Sequence, residues 1–488
     1  MKFVIGNRNL GKILSNKIVV YMLTRYVVYF VSFLSSLLIA GKLGPYYFGI
    51  WGFVLLLINY FHIIDFGIGN SMTVLLVQNK ENPQRQRNYE MASMFILGWI
   101  SLFVVCIAVY YGCCGISFFE KYHLGNLFYL VCGIAILQYF NDYFLKVYRV
   151  KGKMFEFAFY QTIIPVLVLL FLFFAREERL VWLLTLAYLI GHVLSMFFYL
   201  KGGGISYRGK CTFKDCGLIL NKGFYLFVYN FCFYMIIVST KTIIGIYYTV
   251  EEFGYFTFSY TLAHAALLLL TAFSSLITPK LIDKFHSNDY VQIHATVRLL
   301  RVNYVYLSHG LMYVAMIGFP ILLYVLPKYA EALRTINLTA LATILYANSF
   351  GYSSLLMAKN KEKVIARNSL ISLILNVILA FVLIKIFYVE YEFVILATLV
   401  TYFLYAYLTV CSGKRILQQS INFFSVMKEC FPAGILIPFL GAIVVTMINV
   451  DYLMGVPFLL FLIIDRKEVG EIYLSFKRIL FNPNVIDI

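Results

Sequence analysis

Two cations stand inside hydrophobic runs where a charge is costly. Arg25 lies in "YMLTRYVVYF" and Lys241 in "IIVSTKTIIG". Near a bilayer centre such a charge costs at least ~2.5 kcal/mol, so the side chain either reaches an interface or meets something polar. Arg25, Tyr29, Ser32 and Ser36 are spaced i, i+4, i+7, i+11, one face of a helix. Asn230, Tyr234, Ile237 and Lys241 repeat that spacing at an offset of 205 residues. Lys241 falls on position 36, so the two cations differ by ~16 Å of depth at ~1.5 Å per residue. Guanidinium takes phosphate bidentately and an ammonium meets it as a point charge. The matching stripes could therefore pass an anionic head group from Arg25 to Lys241; the alternative is that each cation snorkels to the nearer interface as a helix anchor.

The other polar groups within apolar runs are Asn59, His62 and Asp65, three apart and able to share one side, then Asp142, His192, His264, Asn348 and Asn376. With Tyr29, Asn230 and Tyr234 they are the candidates for lining a polar path; His192 and Asp142 are read as packing groups. Asp142 stands four residues before Lys146, the spacing of a helical ion pair. Asp65, in "IDFG", can cap a turn, pair with Arg25 or carry a proton. A lone histidine in a span usually bonds a neighbouring helix. The nine cysteines form no CxxC and no Cys/His cluster, so they read as small apolar fillers with no metal site. No GxGxxG, P-loop, HExxH or nucleophile elbow occurs, so no cofactor and no ATP hydrolysis are expected.

These side chains need helices that cross a membrane. Of 488 residues, 62% are hydrophobic and 13% charged, with a mean hydropathy of +0.83. Apolar segments fall at roughly 18–40, 46–77, 90–112, 124–148, 155–175, 180–200, 223–248, 254–279, 300–326, 332–357, 367–388, 393–412, 431–449 and 450–465. The expectation is an all-α polytopic membrane protein of about 14 transmembrane helices, or 12 if the last pair does not span. Pro165 and Pro279 are positions where helices can kink. A net charge of +17 could elsewhere mean nucleic acid; here the cations occupy short loops, so no nucleic-acid partner is expected. The basic start "MKFVIGNRNLGKILSNK" is not a cleavable signal.

Sorting the 40 Lys and Arg by loop puts about 31 on one side, about seven on the other and two within spans. The basic side is cytoplasmic, and both termini lie on it. Val469, Ile472, Tyr473, Phe476, Ile479 and Leu480 make an apolar stripe flanked by Lys477 and Arg478, a tail lying along the membrane surface; residues 415–428 can do the same. No outer loop is long enough for a catalytic domain, which counts against a membrane glycosyltransferase, polymerase or ligase.

"KLGPYYFGIWGF" (42–53) and "YYTVEEFGYFTF" (247–258) align at the same offset of 205, and Thr73 falls on Thr278. An even number of spans per repeat gives parallel halves: a six-helix lobe at 1–205, another at 206–412, and a helix pair with an amphipathic tail at 413–488, the substrate path being expected between the halves.

"LGPYYFGIWGF", "IIDFGIGNS", "TKTIIGIYYTVEEFGYFTFSYTL" and "SSLITPKL" resemble the polysaccharide (lipid-linked oligosaccharide, O-antigen) flippase branch of the multidrug/oligosaccharidyl-lipid/polysaccharide exporter superfamily. Thr240 stands where such members often carry an acid before the basic residue. The resemblance implies two lobes in a V, a central cavity, alternating access and a bacterial inner membrane. Its implied substrate is a polyprenyl-diphosphate-linked oligosaccharide, with membrane lipids and polysaccharide polymerase machinery as partners. The alternative within the superfamily is a cation-coupled multidrug exporter, which should favour membrane carboxylates; only Asp65 and Asp142 qualify.

Overall fold

The computed structural model describes residues 17–114, 120–203, 209–222, 224–285 and 289–481. It is helical throughout these residues. The chain forms α1 (Lys17–Ile63), α2 (Ile68–Gln78), α3 (Pro83–Cys114), α4 (Leu127–Val150), α5 (Met154–Phe171), α6 (Glu177–Lys201) and α7 (Phe213–Lys222). There follow α8 (Phe224–Tyr247), α9 (Val250–Phe285), α10 (Tyr290–Arg301), α11 (Leu307–Val325), α12 (Leu333–Ile344) and α13 (Tyr352–Ala358). The last six are α14 (Glu362–Lys385), α15 (Ile395–Ile416), α16 (Phe423–Cys430), α17 (Ala433–Ile448), α18 (Gly455–Ile464) and α19 (Arg466–Phe481).

Every expected apolar segment coincides with helix, and the chain is a polytopic all-α membrane protein. Among the described residues, eight helices are individually long and apolar enough to cross a membrane, or nine when the bent pair α16–α17, at 72°, is taken as one span. Part of the difference from fourteen segments has local causes. Helix α1 contains the 18–40 segment and the first part of the 46–77 segment, merged across a kink at Gly44–Pro45. Gly44 adopts φ 68°, open to glycine, and Pro45 has no N–H to continue the ladder. The rest of the 46–77 segment is the short helix Ile68–Gln78, and the last segment is the short apolar stretch Asp451–Ile464.

Two compact units emerge, Met1–Phe227 and Val228–Ile488, the boundary falling inside α8. In the first, α4 packs on α3 and α6, α5 on α6, and α1 lies against α4, α5 and α6. In the second, α15 packs on α12 and α14, α9 on α12 and α13, and α17 on α18. Large aromatics fill both cores: Phe53 stacks on Tyr122 at 3.9 Å in the first, and Phe233 touches Tyr346, Tyr402 and Tyr405 in the second.

The short helices show how local sequence sets structure. Thr212 begins α7: its hydroxyl accepts the Asp215 N–H at 3.2 Å and donates to Asp215 Oδ2 at 2.6 Å, a capping arrangement. Cys211 and Cys216, just before the cap and on the first turn after it, sit with sulfurs 3.8 Å apart. They form the apolar staple of that helix start, and burial pushes the Cys216 thiol up to about 11. The expected tail is helix α19, and part of the 415–428 stretch is helix α16.

Candidate functional site

Helix α1 ends in a turn built by Asp65. Its carboxylate Oδ1 accepts the Gly67 N–H at 2.8 Å, while Phe66 and Gly67 both take positive φ, 49° and 68°. A Cβ on Gly67 would come within 3.0 Å of Phe227, so glycine is required twice over. Capping is therefore what Asp65 does here. The turn holds His62 against α4, where its Nε2 meets Asp142 Oδ2 at 2.7 Å.

This corrects the sequence pairing of Asp142 with Lys146. The carboxylate turns to a histidine 80 residues away because the end of α1 packs on α4. Lys146 stays within electrostatic reach of Asp65, His62 and Asp142, and its Nζ fills the space beside Gly69. On the neighbouring turn, Asn141 Nδ2 donates to His192 Nδ1 at 3.0 Å and to the His192 carbonyl at 2.9 Å, tying α4 to α6.

Two cavities open on this group. One of about 240 Å³ is lined by Asn141, Asp142, Gln161, His192 and Ser195 among others, with Val28 of α1 on its wall. The other, of about 10 Å³, is lined by Asp65, Gly69, Tyr139, Asp142, Tyr143 and Lys146. Asp142 belongs to both. With side chains 44% and 31% exposed, His62 and Asp142 are reachable by small ions or water rather than sealed. The arrangement is a charge cluster in an apolar helix bundle that can take up or release a proton or a small cation.

In the second unit the polar groups are locked. Asn376 on α14 is fully buried, and its Nδ2 donates to the Ile236 carbonyl at 2.8 Å, Ser239 Oγ at 3.0 Å and Thr240 Oγ1 at 2.8 Å. Thr398 of α15 donates to Asn376 Oδ1 at 3.1 Å and meets Thr240 Oγ1 at 2.8 Å. This knot clamps α8 to α14 and α15 one residue before Lys241. Lys241 is half-buried, with its Nζ 5.5 Å from the centre of the Phe253 ring. No carboxylate lies within ion-pair distance of it among the described residues.

The remaining candidates are dispersed. Asn230 is exposed and Tyr234 half-buried on α8. His264 stacks on Tyr260 at 5.6 Å, and Tyr260 is in electrostatic range of Tyr234 and Tyr346. Asn348 is fully buried, with Oδ1 3.0 Å from His309 Nε2. Tyr29 and Asn59 are half-buried on α1; Arg25 lies on the same helix, its side chain outside the described residues.

Sequence reasoning passed over Arg301 and His309, and gave Lys146 only as a helical partner of Asp142. Arg301 is buried, and its guanidinium donates to the carbonyls of Asn348 at 2.5 Å and Glu429 at 2.6 Å. It thus caps the ends of two helical stretches, with Glu429 Oε1 3.5 Å from its Nε. A π-helical turn, Val302–Tyr306, follows it directly. The available signal was "RVNYVYLSH", which sets Arg301 and His309 two helical turns apart.

A family model described as polysaccharide biosynthesis protein matches residues 38–298. No curated protein matches the chain. Among solved structures, the lipid II flippase MurJ in an inward closed conformation is similar with a TM-score of 0.67 and 14% identity, covering 96% of this chain and 100% of that one. An inward-facing multidrug resistance MATE family transporter of the MOP superfamily gives a TM-score of 0.66 and 11% identity, covering 81% of this chain and 98% of that one. A MATE transporter in its bent conformation gives 0.56 and 11%, covering 84% and 94%.

Proposed function

This chain belongs to the polysaccharide biosynthesis protein family, and on that premise we propose that it is a flippase for a polyprenyl-diphosphate-linked oligosaccharide. It carries the head group from the cytoplasmic to the outer leaflet of a bacterial inner membrane by alternating access, both termini being cytoplasmic. The product feeds surface polysaccharide assembly, O-antigen or capsule, on the outer face, where polymerase machinery takes it up.

The observation that carries this reading is Lys241. A half-buried ammonium on an apolar helix has no carboxylate partner among the described residues and is fixed in place by the Asn376 knot next to it. Such a cation is costly unless it meets an anion during the working cycle. A diphosphate supplies that anion. Arg25, one stripe earlier in the repeat, is the first rung, and Lys241 the second. The rings of Tyr234, Tyr260 and His264 offer flat faces for a sugar chain to stack on.

The cation-coupled drug exporter has its own support in the open His62–Asp142 cluster beside the larger cavity. A flippase can use the same cluster for coupling, so one experiment separates the readings. A bacterium lacking its flippase and making the cognate glycan is complemented with wild type, Arg25→Ala and Lys241→Ala at matched expression. Wild type restores surface glycan and both variants lose it. Full restoration by both variants reduces the cations to helix anchors. Drug resistance without glycan restoration selects the exporter.

A further inference from the structure

Helix α7 has no part in the reading above. One residue separates it from α8, which is long and apolar enough to span, so α7 lies at the level of the bilayer surface. Cys216 and Ile219 form its buried side, against α2 and α3. The chain before it is pinned: the Lys210 N–H donates to Asn88 Oδ1 at 2.9 Å, and Gly209 lies so close to the Arg87 carbonyl that no Cβ fits.

This docking brings exposed Lys210, Lys214 and Lys222 beside exposed Lys80, Arg85 and Arg87 at the adjoining ends of α2 and α3. Of the acids in these segments, Asp215 is engaged by the Thr212 hydroxyl. Amid the cations, Phe213 is 89% exposed and Val77 58%, and Phe224 at the start of α8 is 54% exposed. A cationic rim and bare aromatics at one depth match one surface chemistry, a leaflet that offers hydrocarbon below and phosphate above. A water-borne acidic protein would match the cations and leave the rings in water. The second unit repeats the pattern before α17, where Phe424 is 83% and Phe423 60% exposed on α16 and Lys428 is exposed.

We propose that α7 is an interfacial helix whose Phe213 enters the bilayer while Lys210, Lys214, Lys222, Arg85 and Arg87 bind the phosphates of anionic phospholipids.

The test uses the full chain carrying Phe213→Trp, reconstituted in vesicles of phosphatidylcholine mixed with phosphatidylglycerol, with bromine on the acyl chains of one lipid at a time. Wild type, with Trp51, Trp99 and Trp182, supplies the background. The added fluorescence is expected to be quenched by both lipids, with brominated phosphatidylglycerol about threefold more effective per mole because the rim enriches it locally. Lys210→Glu, Lys214→Glu and Lys222→Glu together should equalise the two lipids; all three side chains are exposed, so the fold is retained. No quenching by either lipid would place α7 in water and overturn the proposal. Equal quenching before the charge reversals would overturn the phosphate part and leave a plain apolar anchor.

Discussion

In the first unit, half-buried carboxylates keep partners that can gain or lose a proton: His62 pairs with Asp142, which with Asp65 and Lys146 lines the cavities there. In the second, the Asn376 amide and the hydroxyls of Ser239, Thr240 and Thr398 satisfy one another, and their knot holds no ionisable member. The repeat expected from the sequence makes the contrast sharper. At the offset of 205, His62 falls on Leu267, Asp65 on Leu270, and Thr240 on Ser35. Ser35 Oγ is buried without a hydrogen-bond partner among the described residues, so the knot has no equivalent around it. On the proposed function, ion exchange suits the first unit, and a fixed cation for an anionic substrate suits the second.

The strongest test of that division is Asp142→Asn. The amide keeps the shape and a hydrogen bond to His62 but cannot hold a negative charge. A lost charge-assisted bond is worth ~1.5–3 kcal/mol, so transport should fall by about tenfold or more, with unchanged protein level and a flattened pH dependence. Measurement of glycan export against external pH reads both. Unchanged transport with the pH dependence intact would remove ion exchange from the first unit.

Arg301→Gln should damage the second unit without touching ion exchange. It strips the donors from the Asn348 and Glu429 carbonyls and leaves Glu429 without its cation. Breaking a buried pair costs about 3 kcal/mol or more, so the melting temperature in detergent should drop sharply. The pH profile of whatever folded protein remains should match wild type; a shifted profile would join Arg301 to coupling and break the division.

Asn376→Leu comes next. It removes one amide from four hydrogen bonds, each worth ~0.6 kcal/mol on average in membrane proteins, for a loss of about 2 kcal/mol. Because the knot fixes α8 beside Lys241, substrate affinity should weaken along with stability. Thermal denaturation and export at several substrate levels separate the two. A stability loss with export per folded molecule unchanged would confine the knot to packing.

Much of the fold was legible because lipid-facing helices are selected for continuous apolarity, which composition reveals directly. The kink at Gly44–Pro45 was written in two residues of known backbone preference. The polar interior was not legible in the same way. His62 and Asp142 are 80 residues apart, and Asn376 and Thr240 are 136 apart, so no local spacing joins them. Lys146 was hidden by a nearer explanation, the i+4 rule, which tertiary packing overrode. Arg301 stands at the start of the 300–326 apolar segment, and only the helix ends folded against it show that it is buried. Sequence periodicity assigns faces, but which faces meet depends on helix packing that no single helix encodes.

The smallest effect concerns how each unit ties down its surface helix. α16 is held from outside, by Arg301 on the Glu429 carbonyl and by Lys414, whose Nζ donates to Ser425 Oγ at 2.7 Å. α7 is held at its start, by its own cap through Thr212, Asp215 and the Cys211–Cys216 staple and by the Lys210 N–H on Asn88. Thr212→Ala removes that cap and should cost about 1 kcal/mol, concentrated in α7. Hydrogen exchange should then rise over residues 213–222 and stay level over 423–430, whereas Lys414→Ala should do the reverse. If Thr212→Ala loosens the whole first unit equally, α7 is no local element but part of the core on which α2 and α3 depend.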